Sequence, residues 1–377
     1  MNLIVFLRRI LFVLQGRVVH LSPKNTSRGA VLLSYTTLPF IDLREKILDA
    51  HTNRWECRDI AQIFLDFGYS VDIIDFENTS FKPKKQYRYF IDVGTNMERL
   101  APTLGSACTK IYHATGTYWS FQNKAEEERL LNLEKRRGMH LTPRRILPSS
   151  RAAEIADVIT LIGNDFTEST YRHIQKQIVR IPISTTHTFP SPISKNFEVA
   201  RNNFIWFGGA GAVHKGLDLV LEAFANMPEY NLTVYGKLES EKDFIDAFNK
   251  ELFHTKNIQM KGWIDPGSTE FKEVANTSLS IIYPSCSEGT AGSVVLAMHA
   301  GLIPIVSKES GVNVEDFGIQ LKENTVGTIE ETVRSLSAEP ESILNKRSLK
   351  AWEYANSRHT RKHFDTVYRA FIARLEL

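Results

Sequence analysis

The stretch FIWFGGAGAVHKG, from Phe204 to Gly216, decides how this chain is read. Phe204 to Phe207 form a short continuous apolar run, the signature of a strand covered on both faces of a parallel sheet. Gly208, Gly209 and Gly211 follow, and His214 and Lys215 stand before Gly216. Leu217, Val220, Leu221 and Phe224 then recur at i, i+3, i+4 and i+7, the apolar stripe of an amphipathic helix. Strand, glycine loop and helix in that order make one unit of a doubly wound α/β sheet. Glycines let the backbone approach a ligand closely, a helix N-terminus offers free amides to an anion, and Lys215 adds a positive charge there. Phosphate suits that pattern; a tight turn with a solvated lysine is the plainer alternative. A nucleotide P-loop would need Gly-Lys-Ser/Thr where Lys215-Gly216-Leu217 stands. A dinucleotide fingerprint would need a glycine in place of His214 and an acid after the next strand, where Gly236 and Lys237 follow.

A second stretch is built the same way. IIYPSCSEGTAGSVVLAMHAG, from Ile281 to Gly301, runs from an apolar strand through a small polar loop into an apolar helix. Glu288 lies just before that helix, where a carboxylate is easily held. Gly289, Thr290, Ala291, Gly292 and Ser293 can present backbone amides to a diphosphate while Glu288 accepts from sugar hydroxyls. Glu288 as a simple helix cap is the competing reading.

Working outward, further short apolar runs alternate with helical patterns. In the first half they are Ala30–Tyr35, Val71–Phe76, Tyr89–Val93, Lys110–His113, Val158–Ile162 and Ile178–Ile183. The second half adds Leu232–Tyr235, Ile258–Met260, Leu279–Tyr283 and Ile303–Val306 to the strand at Phe204. That is too many for one small sheet. The expected fold class is α/β, with two Rossmann-like domains facing each other across a cleft. The proline-rich stretch PISTTHTFPSPIS marks the join. The expected boundaries are 1–185 for an acceptor-side domain, 186–201 for a linker and 202–350 for a ligand-binding domain. Residues 351–377 are expected to form a C-terminal helix that packs back on the first domain.

The chain has 377 residues, 42% of them apolar and 24% charged, with a net charge of +3. That near balance gives no general case for nucleic acid. Cys57, Cys108 and Cys286 are far apart and lack metal-ligand spacing, which fits a reducing, cytoplasmic compartment. Met1 to Leu14 (MNLIVFLRRILFVL) is apolar but too short to span a bilayer, and Arg8 and Arg9 interrupt it. It reads either as an element docked on the first domain or as a segment lying on a membrane surface.

At this point the residues resemble a family. Phe207-Gly208-Gly209, His214-Lys215-Gly216, Gly236, Gly262-Trp263, Pro284-Ser285, Ser287-Glu288-Gly289, Ala297-Met298 and GLIPIV (Gly301 to Val306) look like successive landmarks of the family-4 glycosyltransferases. The resemblance covers about Phe204 to Ser307. It implies the GT-B fold and a retaining transfer from a nucleotide-sugar donor, without a cofactor or an essential metal. No Asp-x-Asp motif stands in the sequence to suggest one. By resemblance Lys215 neutralises the donor diphosphate, Glu288 binds the sugar, and Gly289 to Ser293 cradle the phosphates. Gly208, Gly209, His214 and Gly236 complete the donor side; His113, closing its strand, either faces the sugar as the remaining catalytic candidate or is a hydrogen-bonded histidine at a strand edge. The family commonly carries a second glutamate eight residues after the first; here Leu296 stands there. The arginine often found near the start of the first glycine loop is absent, with Ala210 or Gly211 near its place.

The first half is less legible. His51 precedes a helix and reads either as a cleft residue or as a surface residue. Residues 119 to 151 carry many charges, including Arg136, Arg137, Arg144 and Arg145, and read as a solvated helix face or as a patch for an anionic lipid-linked glycan or membrane. The expected partners are a nucleotide sugar and a glycan or lipid-linked acceptor of the surface-polysaccharide type, at the inner face of the membrane. A non-catalytic glycan- or nucleotide-binding relative is the alternative, with Leu296 as its best support.

Overall fold

The structure is a computed structural model that describes residues 12–13 and 16–377. The expectation for Met1 to Leu14 falls almost wholly outside the described residues. Among those residues no helix is long and apolar enough to cross a membrane.

Two sheets organise the chain. The first holds β1 (Val18–Leu21), β2 (Ala30–Tyr35), β3 (Ser70–Asp75), β4 (Tyr89–Asp92), β5 (Thr109–Ala114), β6 (Val158–Ile162) and β7 (Gln177–Ile181). Their order is β1-β3-β2-β4-β5-β6-β7. All neighbours run parallel except β1, which lies antiparallel on the β3 edge. The second sheet holds β8 (Asn203–Gly208), β9 (Asn231–Gly236), β10 (Ile258–Gly262), β11 (Ser280–Tyr283), β12 (Ile303–Val306) and β13 (Ile319–Gln320). It is wholly parallel in the order β10-β9-β8-β11-β12-β13, the doubly wound pattern that leaves a crevice where the strand order reverses. That reversal lies between β8 and β11. The two glycine-bearing loops picked out in the sequence leave these two strands.

The apolar runs explain the strands. Every residue of β2, β4, β6, β11 and β12 is buried, as strands sandwiched between helix layers require. β1 and β13 were not anticipated. VVHL is only partly buried at an antiparallel edge and includes the exposed His20, and β13 is only two residues long, so neither carries a continuous apolar run.

The chain crosses between the sheets more than once. After β7 the stretch expected to be an irregular linker packs on the second core through Phe189 and Phe197. Helix Glu341–Arg358 also belongs to that core through Leu344, Ala351 and Ala355. The chain then breaks at His359 and Thr360. Helix Arg361–Leu375 returns to the first domain, burying Phe364, Tyr368, Phe371 and Ile372 against Ile60, Phe64 and their neighbours. Helix Trp119–Arg137, which follows β5, also reaches across: Leu133, and Leu141 beyond it, join the second core.

Candidate active site

Lys215 is placed by β8 and the loop behind it. A Cβ at Gly208 would stand 2.6 Å from the Trp206 ring and 3.3 Å from Lys215 Cδ, so the bare glycine makes room for both side chains. Trp206 Nε1 donates to the Lys215 carbonyl at 3.3 Å, fixing the lysine from below. Gly216 takes φ +76°, and a Cβ there would lie 2.4 Å from the Pro284 carbonyl oxygen. Only glycine fits this turn, and the turn brings the β8 loop against the β11 loop.

The product of that contact is an ion pair at the crevice. Lys215 Nζ lies 2.5 Å from Glu288 Oε1, and Tyr283 OH donates to the same oxygen at 3.2 Å. Both partners are largely buried, with side-chain exposures of 10% and 15%. Burial alone would raise the Glu288 pKa, but the charges of Lys215, His214 and Arg145 outweigh it and hold the carboxyl down at about 2. Glu288 is therefore an ionised hydrogen-bond acceptor at neutral pH.

His214 stands directly beneath. Its Nε2 donates to the Ser287 carbonyl at 2.6 Å, and its Nδ1 lies 3.8 Å from Glu126 Oε2 on the helix that crosses from the first domain. Burial would lower its pKa, yet contacts with Cys286 and Glu126 raise it to about 9. His214 therefore braces the Ser287–Glu288 loop from inside rather than facing the crevice.

The Glu288 loop is pinned from both domains. Glu288 N donates to Glu309 O and Ala291 N to Ser310 O, each at 2.9 Å. A Cβ on Gly289 would lie 2.4 Å from Thr115 O and 2.6 Å from Ile162 O, two carbonyls of the first domain. Thr167 Oγ1 donates to Gly289 O at 2.9 Å, and the Thr117 and Ser287 hydroxyls meet at 2.5 Å. Glu288, Thr290, Gly292 and Ser293 keep partial exposure, while Gly289 and Ala291 are buried. Helix Gly292–His299 starts here, and its N-cap residue Ala291 has no side-chain acceptor for the first amides. Those amides remain suited to an outside anion.

Other expected residues take different roles. In the first glycine loop, Glu241 accepts Gly211 N at 2.6 Å and Ala212 N at 3.0 Å. The protein's own carboxylate thus occupies two amides of the first glycine loop. Gly209 stays open, with nothing within 4 Å of a built Cβ. Gly236 is a packing glycine whose Cβ would meet the Trp206 ring at 2.9 Å. His113 has no exposed surface; its Nδ1 pairs with Thr160 Oγ1 at 2.8 Å, and its ring packs edge-on to Tyr35 and Tyr368. Burial lowers its pKa to about 4. It is a neutral, buried residue roofed by the returning helix. Leu296 is buried in the second core and brings no polar group to the crevice.

The charge-rich stretch is corrected as well. Arg136 binds Asp218 at 2.7 Å and Glu222 at 3.2 Å; Arg137 binds Glu251 at 2.9 Å; Arg144 pairs with Asp243. Arg129 donates to Pro284 O at 3.0 Å. These arginines clamp the crossing helix to the second domain, so they form neither a solvated face nor a membrane patch. Arg145 and His51 border the crevice from the first domain. His51 caps helix Thr52–Asp66; the crowding of its ring by surrounding protein first, then Arg54 and, more weakly, Lys215 and Arg145 lower its pKa. Glu126, Glu241 and Arg145 carried no motif that would single them out from other charged residues.

Comparison with solved structures shows the fold. Sucrose-phosphate synthase from Thermosynechococcus elongatus superposes with a TM-score of 0.62 at 14% identity, over 92% of this chain and 99% of that one. Anabaena HepE, crystallised with UDP and glucose, gives 0.57 at 12% identity over 92% and 99%. A glycosyltransferase from Rickettsia africae gives 0.58 at 12% identity with the same coverage. The two facing Rossmann-like domains thus have the GT-B fold of these structures. No curated protein matches the chain. Residues 192–352, which contain Lys215, Glu288 and both glycine-bearing loops, match the family described as glycosyl transferases group 1.

Proposed function

We propose that the protein transfers a sugar from a nucleotide-sugar donor to an acceptor held by its first domain, with retention of anomeric configuration. The observation that carries this reading is the Lys215–Glu288 pair, set where the β8 and β11 loops meet, beside an uncapped helix N-terminus. The pair has two functions ready for one donor. Glu288, ionised and accepting one bond already from Tyr283, receives hydroxyls of the sugar. Lys215 and the amides near Gly292 and Ser293 receive the diphosphate.

In the reaction the bond between the anomeric carbon and the diphosphate oxygen breaks with both electrons staying on the departing oxygen, the acceptor hydroxyl oxygen bonds to the anomeric carbon on the same face, and its proton passes to the departing diphosphate. Fixed cations and amides that are already oriented stabilise that charge without reorganising. Glu288, with a pKa near 2, is unsuited to carrying a proton at neutral pH and acts as an orienting acceptor. The group 1 match over these residues and the UDP and glucose bound by the Anabaena relative favour the same donor class. A glycan or lipid-linked acceptor, in surface-polysaccharide synthesis at the inner membrane face, belongs to the same proposal.

A second reading is a binding protein that has lost turnover, favoured by the apolar, buried Leu296. Incubation with a panel of UDP-, GDP-, ADP- and dTDP-sugars separates the two. Release of nucleoside diphosphate, abolished in Glu288→Gln, supports transfer; binding without release supports the second reading. Anomeric proton couplings of the product test retention, and an inverted product would refute that part.

A further inference from the structure

We infer that Arg145, delivered from the first domain, is a donor-binding residue that contacts the diphosphate together with Lys215. This rests on the sugar-transfer reading above. Five arginines lie between residues 129 and 145 of this segment. Arg129, Arg136, Arg137 and Arg144 all find acids or carbonyls on the second domain. The Arg145 guanidinium, among the described residues, has no hydrogen-bond or ion-pair partner.

Its backbone, by contrast, is held tightly. The Glu126 carboxylate accepts Arg145 N at 3.0 and 2.9 Å, and Gln122 Nε2 donates to Arg145 O at 2.5 Å. The side-chain stem lies on the first glycine loop: a Cβ at Gly211 would be 2.7 Å from Arg145 Cγ and 3.1 Å from Cδ. Gly211 sits at φ +92°, so a residue with a side chain would both strain the turn and displace the arginine. An exposed arginine is thus aimed by a fixed backbone across the loop that ends in Lys215.

Charge pairing says what is missing. Lys215 is matched by Glu288, and His214 by Glu126. Arg145 is left over at the mouth of the crevice, and its charge is felt on both walls, at Glu288 and at His51. A diphosphate carries more negative charge than Lys215 alone can offset, since Lys215 already serves Glu288. A guanidinium also matches phosphate oxygens two at a time, which an ammonium does not. Because Arg145 comes from the other domain, donor binding then ties the two halves together at the site of bond breaking.

The test is calorimetric titration of the full chain and of Arg145→Gln, Arg145→Lys and Lys215→Gln with UDP, GDP, ADP and their monophosphates. The diphosphate that binds the wild type is expected to bind Arg145→Gln about 10- to 100-fold more weakly, the range for a lost charge-assisted contact. The matching monophosphate should lose less, and Arg145→Lys should recover part of the loss. Thermal unfolding of Arg145→Gln should match the wild type, since the side chain is exposed and unpaired. Unchanged diphosphate affinity in Arg145→Gln, with affinity lost in Lys215→Gln, would overturn the assignment while leaving the donor site standing. A loss confined to acceptor KM would overturn it also. Failure of every diphosphate to bind the wild type would bring down the sugar-transfer reading itself, and this inference with it.

Discussion

Replacing Lys215 by Met keeps an unbranched apolar stem over Gly208 but removes the charge 2.5 Å from Glu288. The cost follows from the carboxyl's environment. Burial pushes its pKa up from the ordinary 4.5, and the surrounding cations, Lys215 foremost, bring it to about 2. A depressed folded-state pKa contributes stability above the unfolded value, and that contribution disappears as pH falls toward the folded value. A shift of this size corresponds to about 3 kcal/mol at pH 7 and about 2 kcal/mol at pH 3.5. Breaking a buried pair from one side costs ~3–5 kcal/mol by general experience, which agrees. Since each kcal/mol moves the midpoint of a domain this large by roughly 2–4 °C, scanning calorimetry should show a fall of about 6–12 °C at pH 7. The fall should be smaller at pH 3.5. Lys215→Met with Glu288→Gln should recover most of the loss, because no unpaired charge remains. Equal destabilisation at both pH values, or a double variant as unstable as the single, would refute the reasoning.

Three further outcomes are expected. Glu241→Ala strands the buried amides of Gly211 and Ala212 and should cost about 1–3 kcal/mol, read as a lower urea midpoint. Gly289→Ala places a methyl group 2.4 Å from Thr115 O, so the domains must part; small-angle scattering should show a larger radius of gyration. Chelation with EDTA should leave donor turnover unchanged, since Lys215, Arg145 and helix amides meet the leaving group's charge; loss restored by a divalent ion would refute that.

Much of the fold was readable because its strands are buried on both faces and therefore appear as unbroken apolar runs. Those of β2, β6, β11 and β12 could hardly be missed. β1, a half-exposed edge, and β13, two residues long, leave no such trace. Lys215 and Glu288 were legible because each sits in a loop between a recognisable strand and helix. Glu241 was not, because a carboxylate that fills a distant loop's amides looks locally like any surface acid. The arginines of the crossing helix and of the segment just after it misled for a related reason. Their partners Asp218, Glu222, Asp243 and Glu251 lie about 80 to 115 residues further on, and local charge density cannot distinguish a solvated face from an interdomain clamp. His113 was placed correctly on its strand, but the helix that covers it comes from the last part of the chain.

That returning helix also sets the order in which the molecule can be assembled on the ribosome. Phe364, Tyr368, Phe371 and Ile372 fill the first domain's core, and Glu376 accepts hydrogen bonds from Tyr69 and Tyr89 and pairs with Arg28. All strands of the first sheet emerge early, yet the domain keeps an open apolar flank until more than 170 further residues have been made. The second domain, contiguous from about Phe189 to helix Glu341–Arg358, can close while the first still waits. The half that is translated first is therefore the half that finishes last.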